Sequence, residues 1–208
     1  MFIGFYGASV VLTYLGAAFS VVGMILAFLG NIPAAIMCLI LAGVCDMFDG
    51  TVARACKRTE KEKKFGIQVD SLADTVSFGV FPVVLGICMG FTSKLHIIVY
   101  IMYVLGAIIR LAYFNITAEE KTILVKKEKV SFYQGLPVTS IAIILPLVYN
   151  LNVFGSKEIF NRAYPLVMFF VAILFVLNFK LKKPTGIWLV VCSILAAIEI
   201  AIISSVMF

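Results

Sequence analysis

Charge is scarce in this chain. Asp, Glu, Lys and Arg make up 13% of its 208 residues, and 62% are hydrophobic. A soluble domain has about a quarter charged and about half apolar. An ordinary water-soluble fold is therefore excluded. At about 20 residues per span, six or seven spans consume nearly the whole length, so no sizeable extramembrane domain is expected. Histidine is almost missing as well: His96 is alone, at the start of an apolar run, and reads as an interfacial residue. The five cysteines (Cys38, Cys45, Cys56, Cys88, Cys192) form no CxxC and no Cys/His cluster. Thiol redox chemistry and Ser/His or Cys/His nucleophile pairs are thereby set aside, and the cysteines read as small buried hydrophobes. No basic residue precedes Arg54, so the charged start of a cleaved secretory signal is missing. The first apolar run reads as a membrane helix, with no soluble module expected before it.

What is present is a series of long apolar runs. They predict spans at 7–29, 32–55, 66–91, 95–116, 135–153, 163–179 and 185–206. Asn31-Ile32-Pro33 marks a tight turn, residues 117–133 a charged connection, and Lys180 to Pro184 a stop. The expected fold is an all-α, polytopic membrane helix bundle, with residues 1–208 as one integral membrane domain. The net charge of +6 sits in short clusters between apolar runs, without the aromatic-interleaved basic face that binds nucleic acid. Anionic lipid and anionic substrate suit it better. Fourteen of the 17 Lys and Arg fall on one side, around 54–64, 110–129 and 180–183. The positive-inside rule makes that side cytoplasmic and leaves Lys94, Lys157 and Arg162 outside. Glu199, within the last run, has no evident partner and reads as a helix-end or oligomer-facing acid.

The few acids are concentrated. Asp46 and Asp49 close the second run; Asp70 and Asp74 open the third. A carboxylate in a span costs several kcal/mol unless compensated, so an intramembrane acid is a functional-site candidate. Spacings of three and four put each pair on one helix face, accompanied by Gly50, Ala53 and Gly66. Small residues let helices, or a ligand, come close. Facing each other, the two stripes make a four-carboxylate cup at the cytoplasmic boundary. Hard oxygen ligands select Mg²⁺, Mn²⁺ or Ca²⁺. An ion pair held there would draw in a phosphate or diphosphate, with Arg54, Lys57 and Arg58 nearby to hold further oxygens. The chemistry expected is metal-assisted phosphoryl transfer.

The pattern D-x2-D-G-x2-A-R followed by G-x3-D-x3-D resembles the signature of the CDP-alcohol phosphotransferase family. Every fixed position is matched, by Asp46, Asp49, Gly50, Ala53, Arg54, Gly66, Asp70 and Asp74. Eleven residues separate Arg54 from Gly66, more than is common. The resemblance implies a homodimeric membrane enzyme with six core spans that joins an alcohol to the phosphate of a CDP-linked donor and releases CMP. It implies that Asp46, Asp49 and Asp70 hold two Mg or Mn ions. It makes Asp74 a fourth ligand and the general base. Gly50, Ala53 and Gly66 would make room for the CDP group beside Arg54.

Further words narrow the alcohol. The stretch Asp70 to Pro82, the run Arg110-Leu111-Ala112-Tyr113-Phe114-Asn115 and Gln134-Gly135-Leu136-Pro137 resemble motifs of the family's serine-accepting branch, with Tyr113 in place of an Arg. The motif-bearing, catalytic part then runs from about 43 to 140. The expected reaction takes CDP-diacylglycerol and L-serine to phosphatidylserine and CMP. Ser71 becomes a candidate contact to the CDP group. Arg110, deep in an apolar run, is expected to bind the serine carboxylate or a substrate phosphate; an ion pair with an aspartate, or snorkelling, is its plainer role. Gln134 and Gly135 open the fifth span, where a helix N-terminus could receive an anion or simply be capped. Glycerol 3-phosphate or an inositol compound is the alternative acceptor. In another class, the acids would line the path of a divalent-cation transporter.

Overall fold

The computed structural model describes residues 4–124, 132–182 and 186–207. The lysines expected at 126, 127, 129 and 183 lie outside these residues. Among the described residues eight α-helices follow one another: α1 (Ala8–Phe28), α2 (Ile32–Ala55), α3 (Glu60–Asp74), α4 (Phe81–Cys88), α5 (Lys94–Leu124), α6 (Ile141–Phe154), α7 (Lys157–Val176) and α8 (Gly186–Met207). Among the described residues, five helices are long and apolar enough to cross a membrane: Val10–Phe28, Ile32–Ala55, Glu60–Cys88, Lys94–Thr117 and Lys157–Val176. The expected fifth and seventh spans appear as shorter apolar helices, Val138–Phe154 and Val190–Ser205. Together they form an integral-membrane helical bundle.

Local chemistry sets the boundaries. Asn31 caps α2 by accepting from the Ala34 N–H at 3.2 Å, and Gly30 (φ +82°) makes the turn before it. The third helix begins six residues earlier than the apolar run predicts. The reason is a capping box: the Thr59 hydroxyl takes the Glu62 N–H at 3.3 Å, and the Thr59 N–H donates to Glu62 at 2.7 Å. Lys61, Lys63 and Lys64, expected in a loop, are therefore helical.

Between α3 and α4 the helix widens into a π-helical segment, Thr75–Val80, directly after Asp74. Pro82 has no N–H to offer the Phe78 carbonyl four residues before it. The Tyr103 hydroxyl donates to that carbonyl instead, at 2.8 Å, and Tyr164 donates to the Pro82 carbonyl at 2.8 Å. Both tyrosines are fully buried and sit in the core with Phe78, Phe81, Leu85 and Phe175. Buried backbone acceptors are thus satisfied by α5 and α7, and the chain from Asp74 to Cys88 stays continuous.

The bundle is not purely helical. Phe132–Gln134 (β1) pairs antiparallel with Lys180–Lys182 (β2), with Gln134 opposite Lys180. Gly135 then turns with φ +74°. Consequently the fifth apolar element starts at Val138, in a 3₁₀ turn, and not at 135.

Glu199 has a partner after all. Its side chain is 4% exposed and faces α6, where the Asn150 amide donates to both carboxylate oxygens at 3.0 Å. The expected helix-end or oligomer-facing role is corrected: the acid fixes α8 to α6. Glu199→Gln should keep this clamp, whereas Glu199→Leu should lower stability by about 1–2 kcal/mol by leaving a buried amide unpaired. Thermal unfolding in detergent measures the difference.

Candidate metal centre and its cavity

Asp46 and Asp49 come from the last three turns of α2, and Asp70 and Asp74 from the end of α3. Helix α1 packs along α2 and also touches α3, so it backs the acids. Carboxylate oxygens of Asp46, Asp49 and Asp70 lie within 4.8 Å of one another. Asp74 stands outside this trio but meets Asp46 carboxyl to carboxyl, as Asp49 meets Asp70. Asp49 and Asp74 are buried. Among the described residues no ion pair reaches the four; Lys63–Glu60, on the surface, is the pair present. Facing carboxylates in an apolar bundle need a cation, and an all-oxygen donor set fits a hard divalent one. The trio could coordinate such an ion.

Thr13 of α1 donates its hydroxyl to Asp49 Oδ2 at 2.7 Å. Sequence reasoning missed this residue, because one Thr in an apolar helix carries no local signal. The bond fixes one oxygen of Asp49. Thr13→Ala should raise the divalent-ion concentration at half-saturation roughly tenfold, the scale of one hydrogen bond to a charged group. Thr13→Ser should restore it, and Mn²⁺ titration followed by electron paramagnetic resonance provides the check.

Asp46 and Asp74 open onto a cavity of about 460 Å³, which Gly50, Arg54 and Arg110 also line. Asp49 and Asp70 do not line it. Arg54 also donates to Thr51 at 3.0 Å. Ala53, Gly66 and Ser71 do not line this cavity. Gly66 lies beside Arg58, whose Nη1 would be 3.4 Å from a Cβ there. Ser71 is engaged with Asn115 of α5, whose amide donates to the Ser71 hydroxyl at 2.8 Å. The cavity lining continues past residue 140 to Cys192 and Ala196 of α8, beyond the 43–140 stretch that the motifs mark.

Arg110 is 6% exposed. Its Nε donates to the Leu136 carbonyl at 3.1 Å and its Nη2 to the Gly135 carbonyl at 3.3 Å. The guanidinium carbon lies 5.9 Å from the Phe114 ring centre. With these bonds the side chain ties α5 to the turn before α6. Gly135 is shaped for that turn. Its N–H donates to the Phe179 carbonyl at 2.8 Å, and a Cβ would stand 2.9 Å from the Leu177 carbonyl oxygen. That N–H is thus used within the chain. The side chain of Gln134 lies outside the described residues.

This is a membrane helix bundle with a carboxylate cluster that could hold a divalent metal, beside a cavity. The chain belongs to the CDP-alcohol phosphatidyltransferase family, whose model matches residues 8–198. It is 37% identical over 112 residues to the CDP-diacylglycerol–serine O-phosphatidyltransferase of Saccharomyces cerevisiae, covering 53% of this chain and 40% of that one. It is 31% identical over 140 residues to the archaetidylserine synthase of Methanothermobacter thermautotrophicus, covering 66% and 55%. With the CDP-diacylglycerol–serine O-phosphatidyltransferase of Helicobacter pylori it shares 33% over 111 residues, covering 52% and 43%. The chain therefore spans about half, or less, of the length of these relatives.

Proposed function

We propose that this chain transfers the phosphatidyl group of CDP-diacylglycerol to L-serine, releasing phosphatidylserine and CMP. One observation carries the chemistry: Asp46, Asp49 and Asp70 converge within 4.8 Å, next to a cavity lined by Asp46, Asp74 and Arg110. The activities for which these relatives are named, and the motifs at 70–82, 110–115 and 134–137, support serine over glycerol 3-phosphate or an inositol compound.

In this reading Asp46, Asp49, Asp70 and Asp74 hold Mg or Mn, as one ion or two. When bound, the metal supplies Lewis-acid neutralisation of the diphosphate. The remaining work belongs to side chains. Gly50, Ala53 and Gly66 leave room for the CDP group, Arg54 faces its phosphates, and Ser71 adjoins it while held by Asn115. Arg110, held by the Gly135 and Leu136 carbonyls, receives the serine carboxylate or a phosphate. Asp74 takes the serine hydroxyl proton on a carboxylate oxygen. The serine oxygen forms its bond to the phosphorus bearing the lipid, the bond from that phosphorus to CMP breaks, and CMP leaves with the electron pair. We place the site on the cytoplasmic side of the cell membrane from the distribution of Lys and Arg. The chain acts in this reading as one integral membrane domain and as a homodimer.

Release of CMP from CDP-diacylglycerol with mass-labelled L-serine, glycerol 3-phosphate and inositol tests the proposal. Serine alone should support release. Release with another acceptor only would overturn the serine assignment, and none with any acceptor would overturn the transferase.

A further inference from the structure

We infer that Tyr103 of α5 is a positioning residue for the transfer: by holding the Phe78 carbonyl it keeps the π-helical segment after Asp74 open, and so sets Asp74 relative to Arg110 in the cavity. The inference rests on the transferase reading above and adds to it what places the proton acceptor.

Asp74 is the last residue before the widened segment Thr75–Val80, and the Phe81 N–H that follows reaches back five residues, to the Val76 carbonyl. Widening of this kind is rare in helices and recurs at functional sites. Two groups keep this one open. Pro82 has no N–H for the Phe78 carbonyl, and in a regular α-helix its ring would press on that oxygen. The Tyr103 hydroxyl donates to the same carbonyl at 2.8 Å, from a side chain with no exposed surface. Neither group has water to turn to, so the bond fixes where the segment lies against α5.

Helix α5 carries this hold to the site. Tyr103, Ala107 and Arg110, spaced four and three, share one face, and all three are buried. Ala107 lies opposite Gly79, where an added Cβ would stand 3.5 Å from the Ala107 Cβ. Arg110 reaches the cavity that Asp74 also lines. On the other side of Asp74, Asn115 of α5 donates to the Ser71 hydroxyl at 2.8 Å. Asp74 is thus bracketed by two ties, at Ser71 and at Phe78, and both end on the helix that carries Arg110. The group that takes the acceptor's proton and the cation that receives the acceptor are referred to one rigid element. Closing the widened turn into regular α-helix would remove one residue of register, ~100° of rotation between Asp74 and α4.

Steady-state CMP release by the full chain in detergent, together with hydrogen exchange of the backbone at 75–83, tests this. Tyr103→Phe should lower kcat about ten- to a hundredfold, the scale of a small misplacement of reacting groups. The KM for L-serine and the Mn²⁺ affinity should stay within about twofold, since no substrate or metal contact is removed. A role in packing alone would lower Tm and leave kcat per folded molecule unchanged, and that result would overturn the inference. Pro82→Ala gives the Phe78 carbonyl an N–H and removes no hydrogen bond. It should lower kcat on the same scale with Tm close to the parent's; a parental kcat would overturn the inference as well. Tyr103→Phe/Pro82→Ala should fall no further than Pro82→Ala, because both changes act on one carbonyl. Losses that multiply would count against that shared site and overturn it. Exchange at 75–83 should rise in Tyr103→Phe, and unchanged exchange would refute the hold without any appeal to turnover. If the wild-type chain releases CMP and the variants match it, the positioning role alone fails. If no acceptor yields CMP, the transferase reading fails, and exchange still decides the hold.

Discussion

Asp46→Asn, Asp49→Asn and Asp70→Asn should each lower CMP release by more than about a hundredfold, the scale of losing transition-state charge stabilisation. Each change removes one negative charge from a set whose oxygens lie within 4.8 Å of one another. Asn keeps the volume and relieves carboxylate repulsion, so the bundle should unfold no more easily than the parent. The loss should therefore appear in Mn²⁺ affinity and turnover together, with thermal unfolding unchanged or raised. Asp74→Asn should behave differently. Its carboxylate stands outside the trio while lining the cavity. Metal affinity should fall less than in the other three, and turnover at saturating metal should still drop on the same scale through loss of the proton acceptor. A set of variants with near-parental CMP release would remove the basis of the proposed chemistry.

Much of this site was legible in the sequence because its chemistry is expressed as spacing. Acids three and four apart share a helix face whatever the tertiary fold does, and scarcity of charge made those four stand out. The same logic does not reach Thr13, Cys192 or Ala196. Their contribution depends on which helix packs behind or across from α2, and an apolar membrane helix has hydrophobic residues on every face, so periodicity points nowhere. The start of the fifth apolar element was hidden for a related reason. Apolar length alone put the fifth span at 135, yet strand pairing at Phe132–Gln134 and the positive-φ turn at Gly135 use up the residues before Val138. Glu199 looked partnerless because Asn150 lies 49 positions away, on another helix. Long-range polar pairs such as this one, and Ser71–Asn115 across 44 positions, leave no mark on local sequence. The Thr59–Glu62 capping box was readable in principle as a T-x-x-E pattern ahead of the third run, but the run of charge there outweighed it.

Arg110→Ala should raise the acceptor KM by about ten- to a hundredfold, the range of a lost charge-assisted hydrogen bond. Among the described residues, the guanidinium is the one charged group lining the cavity that comes from an element other than α2 and α3. Two of its nitrogens are already committed to the Gly135 and Leu136 carbonyls. Those two bonds hold the planar, permanently charged group at a fixed angle beside the cavity. The turn at Gly135 thus positions the cation, and the cation secures the turn. Two roles then require separation. If Arg110 acts on the acceptor, Arg110→Lys should keep the positive charge but lose the fork, giving an intermediate KM with kcat closer to the parent. If it only ties α5 to the turn, both variants should lower thermal stability and leave the KM for serine where it was. Gly135→Ala serves as the control. Its Cβ would press on the Leu177 carbonyl oxygen at a backbone angle unsuited to an L side chain, at a cost of about 1–3 kcal/mol. That change should disturb the turn with Arg110 intact. A KM shift in Arg110→Ala that greatly exceeds the shift in Gly135→Ala, at matched loss of stability, assigns the guanidinium to the substrate; equal shifts assign it to the fold.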